Sequence, residues 1–413
     1  MGLGKIKSKI DNLAKKYDLT NQSLWDMFFF ENFLNRLSKS EYKDVFVFKG
    51  GFYLGTIVGI GQRTTLDIDL KYMGYNLTDD IVLNIFNTIC EIKLDDEIIY
   101  KIIDIKVINN DKKDVGRTIR ISASYYNIKK VFCIDIGVGD VITPYPLNFI
   151  YTSNINDLSF NILAYSKETI LAEKIQTLIV KGFNNSRTKD LFDLYLLFKE
   201  GYDKDLLNGA LINTFFTRNT IFNSEIYNNV ENILSAPRMK EKFEDYVKKN
   251  NFTKGLQYEE CKIAILEIIK NIKFTQKIDF NNNSVDFLCC DENYKDIKIS
   301  LVDNKIDILD YGCVINKSYD IVIVRSNIRL EKINTNIQID NKFNLNGDKL
   351  EYKEYYNRIK TELLDILDKY KNKKILLLVN REIISIIYCL YNGWVYSEYI
   401  NINVPKYTLI KLN

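Results

Sequence analysis

The sequence predicts an α/β protein with a mixed sheet in its N-terminal region, followed by a helical middle region and a C-terminal α+β domain. In the first third of the chain, short β-branched and aromatic runs alternate with helical segments. From Ser166 onward apolar residues recur at helix spacing, and from about residue 272 the pattern becomes β-like again. The 413 residues suffice for two or three domains, which we place at residues 1–150, 151–272 and 273–413.

The first region alternates between helices and strands. Apolar residues at helix spacing predict helices within residues 1–45, and the run Val45–Phe48 predicts a strand that enters a glycine turn. A short helix is expected over 52–60, and the alternation of residues 66–71 predicts a strand with one polar face. A helix over 79–90 begins at a Thr78 cap. Further strands are expected over 100–108, 117–124 and 131–136.

The remaining two regions are assigned by the same patterns. Helices are expected from Ser166, over 190–198 and over much of 203–271, where Pro237 interrupts the pattern. Residues 273–340 predict strands, followed by a helix over about 350–370 and a buried strand over 374–379.

Composition excludes several classes of protein. Lys and Arg exceed Asp and Glu by only 57 − 54, or +3, so the whole chain is not marked as a nucleic-acid or membrane binder. No apolar run approaches the roughly 18 residues of a membrane span, and no signal peptide is evident. The seven cysteines contain no C-x-x-C pair and are expected as thiols in a reducing cytoplasm. Because the chain has no histidine, any catalysis must use carboxylates, lysines and a hard metal ion.

One strand carries a pair of carboxylates. Asp67 and Asp69, two residues apart, point to the same face of the predicted strand. Such closely spaced acids are costly unless a cation lies between them, and Mg²⁺ or Mn²⁺ prefers these oxygen ligands together with substrate phosphates. Asp135, on another predicted strand, could be a third ligand. Two metal ions held in this way can stabilise an in-line phosphoryl displacement. Taken alone, the paired acids could equally be a solvated strand face.

A glycine turn precedes this acidic strand. Lys49-Gly50-Gly51 ends the previous strand, and glycine lets backbone N–H groups approach a triphosphate closely. An isolated Gly-Gly is more often an ordinary turn. The order strand, glycine turn, helix and acidic strand, with the lead-in Arg63-Thr64-Thr65, is more specific than either feature alone.

A second group of charged residues lies on the later helices. Lys174 is a good point-charge partner for phosphates, although a surface lysine paired with a glutamate is the simpler interpretation. Arg187 and Lys189 lie in a polar loop and could bind phosphate or nucleic acid. Asp190 could be only a helix cap, and Asp193, one turn later, could be structural.

These motifs together resemble the AbiEii/AbiGii-type toxins of the minimal nucleotidyltransferase superfamily. The resemblance rests on Lys49-Gly50-Gly51, on the Arg-Thr-Thr-Leu-Asp-Ile-Asp run over 63–69, on the Ala-Glu-Lys run that ends at Lys174, and on the Arg-Thr-Lys-Asp run over 187–190. It covers roughly residues 45–200 and implies a nucleotidyltransferase, polymerase-beta-like core. It implies catalytic roles for Asp67, Asp69, Lys174 and Asp190, nucleotide contacts by Lys49, Gly50, Gly51, Thr65 and Arg187, and metal ligation by Asp67, Asp69 and Asp135.

The activity implied by the resemblance is transfer of a nucleoside monophosphate from an NTP with release of pyrophosphate. The biological setting would be a bacterial toxin–antitoxin or phage abortive-infection system for antiviral defence, with an antitoxin encoded nearby. An essential acceptor such as tRNA would explain toxicity. Two alternatives stay open: an enzyme that modifies a small molecule such as an antibiotic, and a non-catalytic binding protein on the same fold.

Overall fold

The structure is a computed structural model that divides into two compact units, residues 1–214 with 225–271 and residues 215–224 with 272–413. It describes residues 2–63, 65, 67–74, 76–108, 115–184, 188–280, 282–290, 298–302, 305–308, 313–316, 319–325, 329–334, 338–343, 352–398, 400, 402 and 409–412. In that part of the chain, no helix is both long and apolar enough to cross a membrane.

The first unit contains seven strands and the helices that surround them. The strands are β1 (Phe46–Lys49), β2 (Asp67–Tyr72), β3 (Ile98–Ile108), β4 (Gly116–Tyr125), β5 (Ile128–Gly137), β6 (Leu147–Thr152) and β7 (Ser159–Ala164). The helices are α1 (Leu3–Tyr17), α2 (Asn21–Lys39), α3 (Gly50–Val58), α4 (Asp79–Glu91), α5 (Lys167–Lys181), α6 (Thr188–Glu200), α7 (Lys204–Thr217), α8 (Ile226–Ser235), α9 (Pro237–Lys249) and α10 (Tyr258–Lys270).

The seven strands form one mixed sheet in the order β3-β4-β5-β2-β1-β7-β6. β1 is antiparallel to β2 and parallel to β7, and β2 is parallel to β5. The mixed α/β architecture expected from the sequence is therefore confirmed. The sheet also includes two strands, β6 and β7, in a part of the chain where the sequence predicts no strand.

One face of the sheet forms the core of the first unit. Alternate residues of the central strands are fully buried on this face, among them Phe46, Phe48, Ile68, Leu70, Ile134 and Ile136. The ring of Phe30 on α2 lies 5.0 Å from that of Phe132, and Phe86 on α4 lies 5.6 Å from Phe46. Helices α2 and α4 therefore cover this face, and the intervening polar residues of each strand must point to the opposite one.

Local signals in the sequence explain several helix boundaries. Helix α4 begins where the backbone N–H of Ile81 donates to the Thr78 hydroxyl, as the predicted cap requires. The proline at 237 lies at the first position of α9, where its fixed backbone angle favours a helix start. The expected interruption at Pro237 is therefore the junction between two helices.

The second unit is rich in strands, as its sequence predicts. Its strands are β8 (Ser284–Cys289), β9 (Lys298–Val302), β10 (Lys305–Ile308), β11 (Cys313–Asn316), β12 (Ile321–Arg325), β13 (Arg329–Asn334), β14 (Gln338–Lys342), β15 (Lys374–Val379) and β16 (Leu409–Lys411). They form a sheet in the order β14-β12-β15-β8-β16 and a second one in the order β11-β10-β9-β13. Helix α11 (Tyr352–Lys369) matches the predicted helix, whereas α12 (Arg381–Asn392), which begins at an Asn380 cap, was not predicted.

Candidate active site

Polar residues form a row across the face of the first sheet that lies opposite to α2 and α4. Lys49 of β1 pairs with Asp69 of β2, Asp69 pairs with Asp135 of β5, and Asp135 pairs with Thr118 of β4. Asp67 lies on the same face, two residues before Asp69. The sheet thus brings the three predicted carboxylates onto two neighbouring parallel strands. Asp135 is about 70 positions from the other two acids in the sequence, and the parallel register of β2 and β5 aligns it with Asp69.

The glycine turn holds one of these carboxylates in place. Gly50 has φ +75°, a conformation that favours glycine, and a Cβ atom there would collide with the carboxylate of Asp69. The backbone N–H of Gly51 donates a hydrogen bond to the Asp69 side chain. Gly50 is therefore required both by the backbone conformation and by the close approach of Asp69.

The electrostatics of the paired acids favour a bound cation. Desolvation raises the pKa of Asp67, Asp135 raises it further, and Lys189 opposes both. Desolvation also raises the pKa of Asp69, against the influence of Lys49, and Asp135 again adds to the increase. Carboxylates whose charged forms are disfavoured in this way are suitable ligands for a hard divalent ion.

A divalent ion at this position would need further ligands. Among the described residues, no group of three or more Cys, Asp or Glu side chains is arranged to hold a metal ion unaided. The hydroxyl of Thr118 donates to Asp135 Oδ1 at 2.6 Å, which occupies one oxygen of the third acid. Mg²⁺ commonly takes one or two carboxylates and completes its shell with water and substrate phosphates, so Asp67 and Asp69 fit such an ion. Ligation by Asp135 stays a prediction.

Lys49 lies in a network of side chains beside the acids. Its ammonium donates to Asp140 Oδ2 at 3.0 Å, lies 3.5 Å from Glu173 Oε1, and is 5.0 Å from the centre of the Tyr165 ring. Burial alone would lower the pKa of Lys49, but Glu173, Tyr165 and Asp140 raise it well above its usual value. The side chain is only 16% exposed and already paired. These contacts make Lys49 a link between β1 and α5, and its contact with a triphosphate stays a prediction.

The second group of predicted residues forms a chain of ion pairs. Lys174 of α5 donates to Asp190 Oδ1 at 2.8 Å and to Asp193 Oδ2 at 2.7 Å. The Nε of Arg63 donates to the other oxygen of Asp193 at 2.7 Å. Burial alone would raise the pKa of Asp193, but Lys174 and Arg63 hold it below its usual value. Asp190, considered above as a helix cap, lies within the first turn of α6 and binds Lys174.

The ion pair of Arg63 fixes the segment that leads into the acidic strand. Gly51 and Gly55 lie one turn apart on α3, close to this segment. A Cβ at Gly51 would lie 3.1 Å from Thr65 Oγ1, and a Cβ at Gly55 would lie 3.0 Å from the Arg63 carbonyl oxygen. The two glycines therefore let Arg63 and Thr65 lie close to α3, and Asp193 secures Arg63 to α6. Thr65 is placed next to the glycine turn, immediately before β2. Sequence reasoning noted Arg63 only as part of a motif, because its partner is 130 residues away.

The first turn of α6, and not the loop expected from the sequence, brings a further cation to the acids. Lys189 is exposed and lies close enough to Asp67 and Asp69 to lower the pKa of both. The sequence singled out Lys189 only as a general phosphate or nucleic-acid contact. Arg187, the predicted nucleotide contact beside it, lies outside the described residues.

A mixed sheet that places paired carboxylates beside a glycine turn, with a helical Lys–Asp pair nearby, is the core of a nucleotidyltransferase. The family comparison agrees: the model of the AbiEii nucleotidyl transferase toxins of type IV toxin–antitoxin systems matches residues 32–261, more than half of the chain. The chain belongs to this family, as the resemblance of its motifs implied.

Solved structures give a more distant likeness. A crystal structure of a Helicobacter pylori protein is 14% identical to this chain with a TM-score of 0.39, and the match covers 61% of this chain and 95% of that one. The crystal structure of JHP933 from Helicobacter pylori is also 14% identical, with a TM-score of 0.36 and coverage of 61% of this chain and 92% of its own. An antigenic nucleotidyltransferase-like protein from Paracoccidioides brasiliensis is 12% identical with a TM-score of 0.26, over 54% of this chain and 90% of its own. No curated protein matches the chain significantly.

Proposed function

We propose that this toxin transfers a nucleoside monophosphate from an NTP to an essential acceptor, with tRNA as the favoured acceptor, in a reaction that depends on Mg²⁺ or Mn²⁺. The observation that carries the proposal is the row of Asp69 and Asp135 on neighbouring strands, with Asp67 beside them and Gly50-Gly51 against Asp69. This arrangement provides a concentrated negative site, held by the glycine turn, at which a divalent ion could bind substrate phosphates.

The residues of the acidic strand would hold the metal and the nucleotide. Asp67 and Asp69 would ligate the divalent ion. When bound, this ion would neutralise negative charge on the phosphates. The Gly51 N–H keeps Asp69 oriented for this task. Thr65, next to the glycine turn, and Lys189, near both acids, would contact the triphosphate, as would Arg187, which the sequence predicts as a nucleotide contact.

The helical pair would act on the acceptor side of the reaction. Asp190 accepts a hydrogen bond from Lys174, and the same lysine is shared with Asp193. In a chain without histidine, Asp190 is a reasonable base, or a group that orients the acceptor hydroxyl. Lys174 would then offset the negative charge that develops on the phosphate under attack.

We place this activity in the cytoplasm, where NTPs and tRNA are available, and we expect an antitoxin encoded nearby to restrain it. Blocking an essential acceptor would arrest growth, and such arrest could serve in abortive infection against phage.

Expression in bacteria without the neighbouring gene tests the proposal. We expect growth arrest by the wild type and relief by Asp67→Ala, Lys174→Ala and Asp190→Ala. Loss of one charge-stabilising group can lower a rate by about 10²–10³. Asp44→Ala, at an exposed position in the turn before β1, is the matched control and should remain toxic. Circular dichroism of each purified variant verifies folding.

The acceptor is identified by incubating purified protein with each labelled NTP and with total RNA or total protein. Label in the tRNA band supports the proposed acceptor, and label in protein would redirect it. A harmless wild type that labels no macromolecule would overturn the toxin proposal and favour the enzyme that modifies a small molecule.

A further inference from the structure

The sheet face that carries the acids continues beyond them onto β3 and β4. The row that contains Asp69 and Asp135 extends through Thr118 to Lys106 of β3. The next row joins Asp67 to Cys133, Arg120 and Asp104. Because cross-strand partners point to the same face, the acids and the outer strands share one continuous surface.

This outer surface, which we call the β3–β5 face, is strongly biased towards positive charge. Apart from Asp135, which belongs to the acid site, its charged residues are four cations and one anion, namely Lys101, Lys106, Arg120, Lys129 and Asp104. The three lysines are exposed, and the side chain of Arg120 is 43% exposed even though it pairs with Asp104. The chain as a whole is nearly balanced, at 57 cations to 54 anions, so the excess is local to this face.

Exposed apolar side chains lie among these cations. Ile99 is 58% exposed and Val131 is 50% exposed, in the two rows that contain Lys129 and Lys101. A sheet face that only meets water normally carries scattered polar residues. Cations interleaved with apolar side chains suit a ligand that offers both phosphates and less polar ribose and base surfaces.

The dimensions of the face also suit an extended strand of nucleic acid. Lys129 precedes Asp135 by six residues on β5, which corresponds to about 20 Å along an extended strand. Lys106 is two strands from Asp135, or about 10 Å across the sheet. A phosphate backbone lying on this face would therefore pass several cations before its end reaches the carboxylates.

We propose that the β3–β5 face is the docking surface for an RNA acceptor, with Lys101, Lys106, Lys129 and Arg120 contacting its phosphates. The inference rests on the proposed nucleotidyl transfer and adds to it the surface that presents the acceptor to Asp67 and Asp69. Phosphate contacts position a nucleic acid without reading its sequence, so this surface governs affinity and orientation.

The test compares Lys101→Gln/Lys129→Gln with a matched control, Lys5→Gln/Lys7→Gln, which removes two exposed lysines from α1. Binding of total bacterial tRNA is measured between 50 and 200 mM salt, and binding of NTP with Mg²⁺ is measured by calorimetry. Each lost phosphate contact should lower the salt slope by about 0.7–0.9 and weaken binding by five- to tenfold near 0.1 M salt. We therefore expect the tRNA affinity of the double variant to fall by about 25- to 100-fold, with NTP binding unchanged and the control unaffected.

Three results would overturn this inference while leaving nucleotidyl transfer intact. The wild type could bind NTP but not tRNA, or the double variant could bind tRNA as tightly as the wild type. The third result is a loss of tRNA affinity in the control equal to that in the double variant. Unchanged tRNA affinity combined with loss of protection by the antitoxin would assign the face to a protein partner instead. Failure of the wild type to bind NTP with Mg²⁺ would count against the proposed function itself.

Discussion

Asp193→Asn tests the ion-pair chain that joins α5, α6 and the segment before β2. The Asp193 side chain is 1% exposed and accepts from both Lys174 and Arg63. The substitution removes the carboxylate charge that pairs with the buried guanidinium of Arg63, whereas Lys174 keeps Asp190. Removing one member of a buried ion pair costs about 3–5 kcal/mol, because the remaining charge stays desolvated.

The matched control is Asp190→Asn. Asp190 pairs with Lys174, and that lysine keeps Asp193 after the change. We expect a loss of about 1–3 kcal/mol, the range for a hydrogen bond to a charged group. In a unit of this size each kcal/mol corresponds to about 2–4 °C, so Asp193→Asn should lower the Tm by roughly 6–20 °C and Asp190→Asn by clearly less.

The pH dependence distinguishes the charge of Asp193 from its shape. The folded-state pKa of Asp193 lies below the ordinary 3.8. Its stabilising contribution is therefore complete above pH 4 and is lost as the pH falls through the folded-state value. Scanning calorimetry at pH 7 and pH 3 should show a large difference between wild type and Asp193→Asn at pH 7 that becomes smaller at pH 3. Equal losses in the two variants, or a difference independent of pH, would refute this reasoning.

Other parts of the first unit give three further predictions. Asp69→Asn should raise the metal-free Tm slightly, because it removes a charge whose pKa is raised by desolvation, and should abolish any Mg²⁺-dependent rise seen in the wild type by thermal shift. Gly50→Ala should lower transfer activity by at least tenfold, since its Cβ would displace Asp69, with activity assayed on a variant shown to be folded. Burial raises the pKa of Glu31 from 4.5 to about 8, so the free energy of unfolding of the wild type should decline by a few kcal/mol between pH 5 and 8. Urea unfolding of Glu31→Gln should show no such decline.

Local features of the fold could be predicted from the sequence. The β1 run, the glycine turn and the alternation in β2 depend on neighbouring residues, and all three are present. The pairing of Asp67 with Asp69 on one face follows from the two-residue period of a strand. Asp135 could be named as a candidate, but its alignment with Asp69 depends on the parallel register of β2 and β5, which no local pattern specifies.

Long-range partners account for most of what the sequence did not reveal. Lys49 pairs with Asp140 and Glu173, which are 91 and 124 residues away, so its role as a link to α5 had no local signal. Strand β7 was missed because its residues, Ser159–Ala164, lie in the region where the sequence predicts only helices. It is nevertheless parallel to β1, and Tyr165, next to its end, lies against Lys49.

The most direct test of nucleotidyl transfer is a comparison of the same NTP labelled on the α-phosphate or on the γ-phosphate. Purified protein is incubated with either form, Mg²⁺ and total bacterial tRNA. We predict that the α-label enters the tRNA and the γ-label is released as pyrophosphate, and that Asp67→Asn with Asp69→Asn eliminates both. Transfer of the γ-label to the acceptor would indicate a kinase, and undiminished α-label transfer by the double variant would contradict the assignment of the site to these carboxylates.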